Sequence, residues 1–480
     1  MSPDPADKSP LVVAVIGAGP SGIYAAEALT SQAGLAVEVA VIDRLPVPFG
    51  LVRYGVAPDH HAIRSIRHTL ERTLDRSGVQ FYGDVTIGRD LSIGELRQAV
   101  DVVIYAYGAG SDRRLGIPGE DLPGSLGAPE FVNWYCGHPD VHPDDHTSAD
   151  PPGAGGGADP GAAIVRLVRE SRTAVVVGVG NVALDVARVL VKTSDELAHT
   201  DMAEEVLASL AGKGVHTVHI LGRRGPAYTA FTTKELRELG QLPDLDIVLS
   251  RQDLEFDASS LAVVAQDKVA ARNVAVMREW AERPLTGASR QVHLHFWTRP
   301  TRIVGEDHVT GIELERTVIG TEGYVEGTGE LTTVPADLVV RSVGYRGVAM
   351  PGVPYDAATG RVPNAEGRVI RDGAFSADEY VTGWIKRGPT GVIGTNKSDA
   401  VETVASLMAD VRAGRLVPRA RSGELDRLLA GRGLHALDLP AWRRIDAAEV
   451  ALGSSHGRLR TTLAHRVELL AAARQHLPPA

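Results

Sequence analysis

Apolar runs that end in glycine alternate along this chain with stretches of helical periodicity. Residues 11–17 (LVVAVIG) form such a run, which is typical of a strand buried in a parallel sheet. A helical stretch follows at about residues 21–32, and a second apolar run lies at 37–42. This order predicts the strand–helix–strand start of a doubly wound α/β domain.

The same order recurs in the middle of the chain. A strand is predicted at residues 173–178, a helix at 181–192 and a further strand at 215–221. Two matching runs, at 101–108 and 337–344, each open with Asp and end with Gly, and we expect each to close the open side of its own sheet. The sequence therefore predicts an α/β fold with two Rossmann-like, doubly wound, three-layer domains.

We expect the two domains to be nested. The first dinucleotide-binding domain is predicted to be discontinuous, at residues 1–110 and 345–480, with the second inserted at residues 111–344. A segment rich in Gly, Pro and Ala at 150–163 predicts a flexible insertion.

Composition narrows the function. The 480 residues carry a formal net charge of −10, which argues against general nucleic-acid binding. Cys136 is the single cysteine, so the chain can form neither an internal disulfide nor an iron–sulfur cluster of its own. Neither an apolar leader nor an apolar run of membrane-spanning length stands out. We expect a monomeric, cytoplasmic protein that binds no membrane, and no ligand spacing predicts a metal site.

The first glycine-rich motif is Gly17-Ala18-Gly19-Pro20-Ser21-Gly22, which matches G-x-G-x-x-G between a predicted strand and helix. The glycines permit a tight turn, close approach to a pyrophosphate and tight helix–strand packing. Asp43 follows at the end of the next strand, where a carboxylate accepts the ribose hydroxyls and repels a 2′-phosphate. The site suits FAD or NAD, and its place in the first of two units favours FAD.

The second motif is Gly178-Val179-Gly180-Asn181-Val182-Ala183, a G-x-G-x-x-A variant. At the end of the following strand Arg223 and Arg224 stand where an acidic residue would otherwise be expected. Guanidinium groups match phosphate oxygens, so the pair indicates NADP(H), although solvated loop charges are the alternative. A flavin site followed by an NADPH site predicts hydride transfer between nicotinamide and flavin.

Several further stretches carry a family resemblance. They are VPFGLVRYGVAPDH at 47–60, IPGEDLPG at 117–124, GNVALDVARVL at 180–190, GRRGP with FTTKELREL at 222–239, and WIKRGPTGVIGTNKSDA at 384–400. The chain resembles the adrenodoxin reductase-like branch of NADPH–ferredoxin reductases over about residues 10–410. The resemblance implies hydride transfer from NADPH to FAD and single-electron transfer to a separate ferredoxin, of 2Fe–2S or another iron–sulfur type. It does not identify that ferredoxin or the acceptor beyond it, of which a cytochrome P450 system is one example.

The resemblance also implies site residues. The residues expected at the ADP half of FAD are Ala18, Asp43, Leu51 and Ile87, and those expected along the isoalloxazine are Trp384, Gly391, Val392 and Ile393. Those expected around NADPH are Val179, Gly180, Asn181, Val182, Arg223, Arg224 and Glu235. His60, Asp185 and Glu235 are the candidates for catalytic or positioning residues, and a structural role stays open for His60 and Asp185.

The segment after the second unit agrees with a flavin site. A strand-like run at 379–383 precedes the loop GPTGVIG, which leads into a helix predicted at about 397–413. Amides at such a helix start can face the flavin edge on which negative charge develops.

Docking of an acidic ferredoxin needs a basic surface, and two groups are candidates. They are Arg64, Arg67, Arg72 and Arg76, expected as one helical stripe, and Lys268, Arg272 and Arg278. Three other functions stay open: a flavin monooxygenase, a glutamate-synthase-type subunit, and a flavin-binding redox sensor without turnover.

Overall fold

The computed structural model of the protein describes residues 10–142, 160–320 and 323–475. The chain divides into two compact units, and each is described by itself. Unit 1 comprises Met1–Ser111 and Tyr345–Ala480, and unit 2 comprises Asp112–Gly344. The first boundary lies one residue beyond the limit that the sequence predicts, and the second coincides with it.

The elements follow in chain order. The described strands are β1 (Leu11–Ile16), β2 (Val37–Ile42), β3 (Val79–Tyr82), β4 (Val102–Tyr105), β5 (Ser111–Asp112), β6 (Ser125–Gly127), β7 (Thr173–Val177), β8 (Thr217–Leu221), β9 (Leu245–Leu249), β10 (Arg290–His295), β11 (Thr298–Val304), β12 (Gly311–Ile319), β13 (Val325–Pro335), β14 (Leu338–Arg341), β15 (Tyr345–Arg346), β16 (Asn364–Ala365), β17 (Arg368–Arg371) and β18 (Ala374–Val381). The described α-helices are α1 (Pro20–Thr30), α2 (Leu51–Tyr54), α3 (His61–Arg64), α4 (Arg67–Leu74), α5 (Ile93–Ala99), α6 (Ala128–Tyr135), α7 (Pro160–Glu170), α8 (Asn181–Val191), α9 (Ser194–Leu197), α10 (Glu204–Ala211), α11 (Thr233–Leu239), α12 (Ala258–Gln266), α13 (Lys268–Glu282), α14 (Trp384–Arg387), α15 (Thr395–Arg412), α16 (Glu424–Gly431), α17 (Leu439–Ser455) and α18 (Arg466–Arg474).

Unit 1 is built on a seven-stranded sheet in the order β16-β17-β18-β4-β1-β2-β3. β18, β4, β1, β2 and β3 run parallel, and β16 and β17 add an antiparallel edge. On one face Ile16 and Tyr105 pack with Leu96 of α5 and Leu429 of α16. Helices α1 and α15 pack against each other. The carboxyl ends of β1, β2, β4 and β18 therefore open at one edge, where α1 begins.

Unit 2 is built on a six-stranded sheet in the order β6-β14-β7-β8-β10-β9, and every pair in it is parallel. A second sheet, β11-β12-β13, is antiparallel. Val177 and Val339 of the large sheet share an apolar core with Ile303 and Ile312 of the small one. One part of one face of the parallel sheet is thus covered by strands and not by helices.

The predicted architecture of two Rossmann-like domains is confirmed, with two local corrections. The matching strands β4 and β14 do not end their sheets, because β18 pairs beyond β4 and β6 pairs beyond β14. Of the predicted insertion at 150–163, residues 160–163 form the first turn of α7, and the remainder lies outside the described residues. Within the described ranges, no helix combines the length and the apolar character that crossing a bilayer requires.

Candidate nucleotide-binding sites

The first glycine turn of unit 1 leaves no room for side chains at two of its positions. Gly17 has φ +110°, and a Cβ there would lie 2.6 Å from the carbonyl oxygen of Ala106. A Cβ on Gly22 would lie 2.0 Å from the carbonyl oxygen of Gly17. Both positions therefore require glycine, one for conformation and the other for the close contact between turn and helix.

Gly19 has a different role at the same turn. It is the residue before α1, and a Cβ on it would meet no atom within 4 Å. No side chain of the described residues caps this helix start. The open space and the uncapped amides together form a cradle that fits a pyrophosphate.

Asp43 lies directly after β2 and is held by the backbone. The amide of Ala18 donates to Asp43 Oδ2 at 2.7 Å, and the amide of Leu45 donates to Oδ1 at 2.9 Å. The carboxylate is therefore oriented beside the glycine turn, where its oxygens are the acceptor type that a ribose hydroxyl requires. The amide of Ala18 serves Asp43, so it is not the donor to a phosphate.

The end of β18 meets the same turn, which the sequence did not indicate. Gly383 has φ +78°, and a Cβ on it would lie 2.2 Å from Ser21 Oγ. Ser21 Oγ donates to Asn396 Oδ1 at 3.0 Å, and Arg387 donates to the same oxygen at 2.9 Å. Helix α15 and the glycine turn are thereby joined through one buried amide.

A buried carboxylate organises the segment between β18 and α15. Asp399 accepts hydrogen bonds from Thr382 Oγ1 at 3.0 Å, from the Gly383 amide and from Arg387 at 3.2 Å. Lys386 Nζ lies 3.1 Å from its other oxygen. These contacts fix the backbone of α14, on which Trp384 is the first residue.

Trp384 and the loop after it offer hydrogen-bond donors to the ring of a ligand. Its ring lies 5.4 Å from that of Tyr345, and its Nε1 is buried without a hydrogen-bond partner among the described residues. Gly391 has φ +82°, and Val392 and Ile393 precede the start of the 18-residue helix α15. A buried indole N–H and a helix N-terminus both suit an electron-rich ring edge.

Leu51 and Ile87 differ in what they can offer a ligand. Gly50, with φ +46°, would place a Cβ 3.1 Å from Gly19 Cα, so Leu51 starts α2 beside the cradle. Ile87 is 6% exposed and packs inside the core of unit 1. Taken together, the cradle, Asp43 and the Trp384 segment fit FAD in unit 1.

The second glycine turn, in unit 2, follows the same motif as the first but has alanine in place of the third glycine. Gly178 has φ +136°, and a Cβ there would lie 2.2 Å from the carbonyl oxygen of Ser342. A Cβ on Gly180 would meet nothing within 4 Å. Ala183 at the third position is fully buried in α8. Asn181 Oδ1 accepts from the Thr232 amide at 2.8 Å, which ties the turn to the start of α11. Val179 and Val182 are half-buried at this turn.

Arg223 and Arg224 follow β8 in different environments. Arg223 is exposed, and no carboxylate among the described residues pairs with it. The Arg224 guanidinium lies 5.3 Å from the centre of the Tyr228 ring, and its Nε is buried without a partner in the part of the chain that the structure describes. An unpaired guanidinium beside an uncapped helix start fits the 2′-phosphate of NADP(H). Tyr228 is a site residue that the sequence did not indicate.

The three candidate catalytic residues are all buried, at 6% exposure each. In unit 2, Asp185 forms an ion pair of 2.7 Å with Arg188 one turn along α8. Glu235, also in unit 2, accepts the hydroxyl of Thr232 at 2.8 Å at the start of α11. In unit 1, His60 directly precedes α3. Their roles toward a cofactor stay predictions.

The predicted arginine stripe in unit 1 is wrong. The segment forms two helices, because α3 ends at Arg64 and α4 begins at Arg67. Arg64 is buried and donates to the Val56 carbonyl at 2.9 Å, while Arg76 donates to the Glu27 carbonyl at 3.2 Å. In unit 2, Lys268, Arg272 and Arg278 are exposed on α13.

Comparisons with known proteins identify the family of this chain. The family model described as pyridine nucleotide-disulphide oxidoreductase matches residues 11–377. The NADPH-ferredoxin reductase FprA of Mycobacterium tuberculosis is 43% identical over 477 residues, which cover 96% of this chain and 98% of that protein. The mitochondrial NADPH:adrenodoxin oxidoreductase of Arabidopsis thaliana is 37% identical over 486 residues, which cover 98% of this chain and 96% of that protein.

A solved structure extends the match to three dimensions. The structure of M. tuberculosis FprA in complex with NADPH aligns with a TM-score of 0.86 at 41% identity, covering 97% of this chain and 99% of that chain. The family model spans more than half of the chain, and the two relatives match nearly all of it. The chain therefore belongs to the pyridine nucleotide-disulphide oxidoreductases, in the adrenodoxin reductase-like branch of NADPH–ferredoxin reductases.

Proposed function

We propose that this protein is an FAD-dependent NADPH–ferredoxin reductase. The observation that carries the proposal is the contrast between two otherwise similar glycine turns. One is followed by Asp43, anchored by two amides, and the other by an exposed Arg223. The single cysteine, Cys136, excludes the internal dithiol chemistry that gives the wider family its name.

The protein's part in the reaction is to bind and orient. When bound, FAD accepts a hydride from NADPH and passes the two electrons on singly. In unit 1, Asp43 holds the adenosine ribose, Gly19 admits the pyrophosphate, and Trp384 with the start of α15 binds the ring. In unit 2, Arg223 and Arg224 bind the 2′-phosphate, and Gly180 admits the pyrophosphate of NADPH.

The candidate catalytic residues act by positioning in this proposal. Hydride transfer to a flavin requires no protein proton donor. The two acidic candidates have structural roles in unit 2, where Asp185 is paired with Arg188 and Glu235 with Thr232. His60 is proposed to position a cofactor ring on the family resemblance alone.

The electron acceptor is a separate ferredoxin. The lone cysteine rules out a cluster within this chain, so the iron–sulfur group belongs to the partner. The exposed side chains of Lys268 and Arg272, one turn apart on α13, form a basic patch suited to an acidic partner. The cluster type, a monomeric state and a cytoplasmic location remain parts of the proposal.

The test is anaerobic mixing of the purified protein with NADPH and, separately, with NADH. A 2Fe–2S ferredoxin and cytochrome c are added afterwards. We expect NADPH to bleach the flavin, NADH to do so poorly, and cytochrome c reduction to depend on ferredoxin. Bleaching without a ferredoxin effect would contradict the assigned acceptor and leave the cofactor sites in place.

The same experiment separates the alternatives. A monooxygenase would consume NADPH and oxygenate an organic substrate in air. A redox sensor would be yellow and stay yellow when NADPH is added. A glutamate-synthase-type subunit would reduce no ferredoxin and would require a partner subunit for turnover.

A further inference from the structure

Three histidines of unit 2 lie together on one face of its parallel sheet. His219 is on β8, and His293 and His295 are on the neighbouring strand β10. The strands run parallel with His219 opposite His293, and residues two apart on a strand share a face. One nitrogen from each ring lies within 4.8 Å of the others.

The rings are already close to a shared point. His219 Nδ1 and His295 Nε2 are 2.8 Å apart. The centres of the His219 and His293 rings are 4.6 Å apart, and those of His219 and His295 are 5.1 Å apart. Two nitrogens bound tetrahedrally to zinc at about 2.0–2.1 Å stand roughly 3.3 Å apart, so a small ring rotation would admit an ion.

The surroundings keep these rings accessible. Val175, opposite His219 on β7, belongs to the core that the antiparallel sheet covers, while the three histidines are only half-buried. An ion from solvent can therefore reach the ring nitrogens.

We propose that His219, His293 and His295 form a binding site for a divalent transition-metal ion of the zinc class, with water completing the coordination. Imidazole nitrogen is a preferred ligand of zinc, copper and nickel. Among the His, Cys, Asp and Glu side chains of the described residues, these three imidazoles come together here, so the site would keep an open position and bind an exchangeable ion.

The site is separate from the proposed reaction. β8 ends at Leu221, and Arg223 follows two residues later. His219 and Arg223 are thus four residues apart, roughly 13 Å of extended chain, so the ion would not touch the arginine proposed to bind phosphate. The proposal therefore does not depend on the proposed function.

The test uses the full-length, cofactor-retaining protein after treatment with a chelator. Zinc is titrated by calorimetry into the wild type, His219→Gln and His293→Gln. We expect one equivalent to bind with a dissociation constant on the order of micromolar or tighter, weakened roughly tenfold or more in each variant. The matched control is His216→Gln, which removes an exposed histidine just before β8 and should leave the affinity within about twofold.

A second measurement, made on the wild type alone, tests the proposal even if a variant folds poorly. Cobalt added to the wild type should give the d–d absorption of a low-coordinate nitrogen site, and zinc should abolish it. Absence of saturable zinc binding to the wild type would overturn the proposal. Equal affinity in the wild type and both cluster variants, or an equal loss in His216→Gln, would overturn it as well.

Discussion

The first glycines of the two nucleotide turns, Gly17 in unit 1 and Gly178 in unit 2, are in the same backbone environment. Both have positive φ, at +110° and +136°. At both, the space for a side chain is taken by a carbonyl oxygen that follows the adjacent strand, from Ala106 or Ser342. Two stretches that differ in sequence thus have the same backbone geometry, which lets the chain approach a phosphate closely.

The two turns differ after that point, and the difference separates the cofactors. Gly22 has no room for a methyl group, whereas Ala183 is buried without obstruction. Asp43 is anchored as an acceptor, whereas Arg223 is an exposed donor. In the proposed function the turn binds a dinucleotide, and the residue after the second strand selects which dinucleotide binds.

The largest expected effect comes from closing the first turn with Gly22→Ala. The added Cβ would lie 2.0 Å from a backbone oxygen, which cannot move without opening the turn. We expect the free energy of unfolding to fall by about 3 kcal/mol and most of the flavin to be lost. Urea unfolding and the flavin-to-protein absorbance ratio measure both.

Two substitutions serve as controls for this prediction. Gly431→Ala, in α16 with no atom near the new Cβ, should retain flavin and stability. Ala183→Gly in unit 2 should cost only about 1 kcal/mol, because it loosens a helix without a clash. Normal flavin content in Gly22→Ala would contradict the claim that the first turn requires glycine at this position to bind FAD.

The next largest effect is expected from substituting Arg223, the hydrogen-bond donor that follows the second turn. Arg223→Ala would remove the proposed charged hydrogen bond to the 2′-phosphate, worth about 2 kcal/mol, so kcat/KM for NADPH should fall roughly 30-fold. The value for NADH should stay within about twofold, because NADH has no 2′-phosphate. Steady-state kinetics with both cofactors measures this, and Arg237→Ala, another exposed arginine in unit 2, is the control. Equal losses for the two cofactors would place Arg223 elsewhere in the site.

A smaller effect, on FAD affinity, is expected from substituting Asp43, the hydrogen-bond acceptor that follows the first turn. Asp43→Asn removes the charge and points an amide group at one of the two backbone donors. We expect the dissociation constant for FAD to rise about tenfold, measured by fluorescence after reversible flavin removal. Asp356→Asn, which also removes a carboxylate that accepts a backbone amide in unit 1, should leave that constant unchanged. If both variants weaken FAD equally, general destabilisation of unit 1 is the cause.

The smallest effect on flavin binding is expected from Asp410, a carboxylate of unit 1 with a structural role. Burial alone would raise the pKa of Asp410, but hydrogen bonds from Arg368, Tyr380 and Arg415 lower it to about 2 from an ordinary 3.8. The resulting stabilisation is complete above about pH 5, begins to fall near pH 4, and is lost as the pH falls through about 2.

Urea unfolding from pH 7 to pH 2 tests the role of Asp410. The difference in unfolding free energy between wild type and Asp410→Asn should be constant above about pH 5 and shrink below about pH 4. Flavin content at pH 7 should not change. A difference that stays constant down to pH 2 would contradict the lowered pKa.

Much of the fold was predictable because buried strands and glycine turns are local patterns. The strand at 37–42 and the helix start at residue 181 were predicted at their observed positions. The family, the two-domain architecture and the reductase resemblance are confirmed as well. The order of the strands within each sheet was harder to predict, because the pairing of β18 with β4 joins residues that are far apart along the chain.

The sequence by itself determined the two turns, the acid or arginine that follows each, and the single cysteine, since each is a matter of residue type at a short spacing. Only the tertiary structure decided the junction of Gly383, Ser21 and Asn396, the burial of Arg64 and the cluster of His219 with His293 and His295. The alternation in His293-Leu294-His295 was the one local signal of that cluster. Its third member lies 76 residues from His295, and pairing at that separation is set by which strands the sheet places side by side.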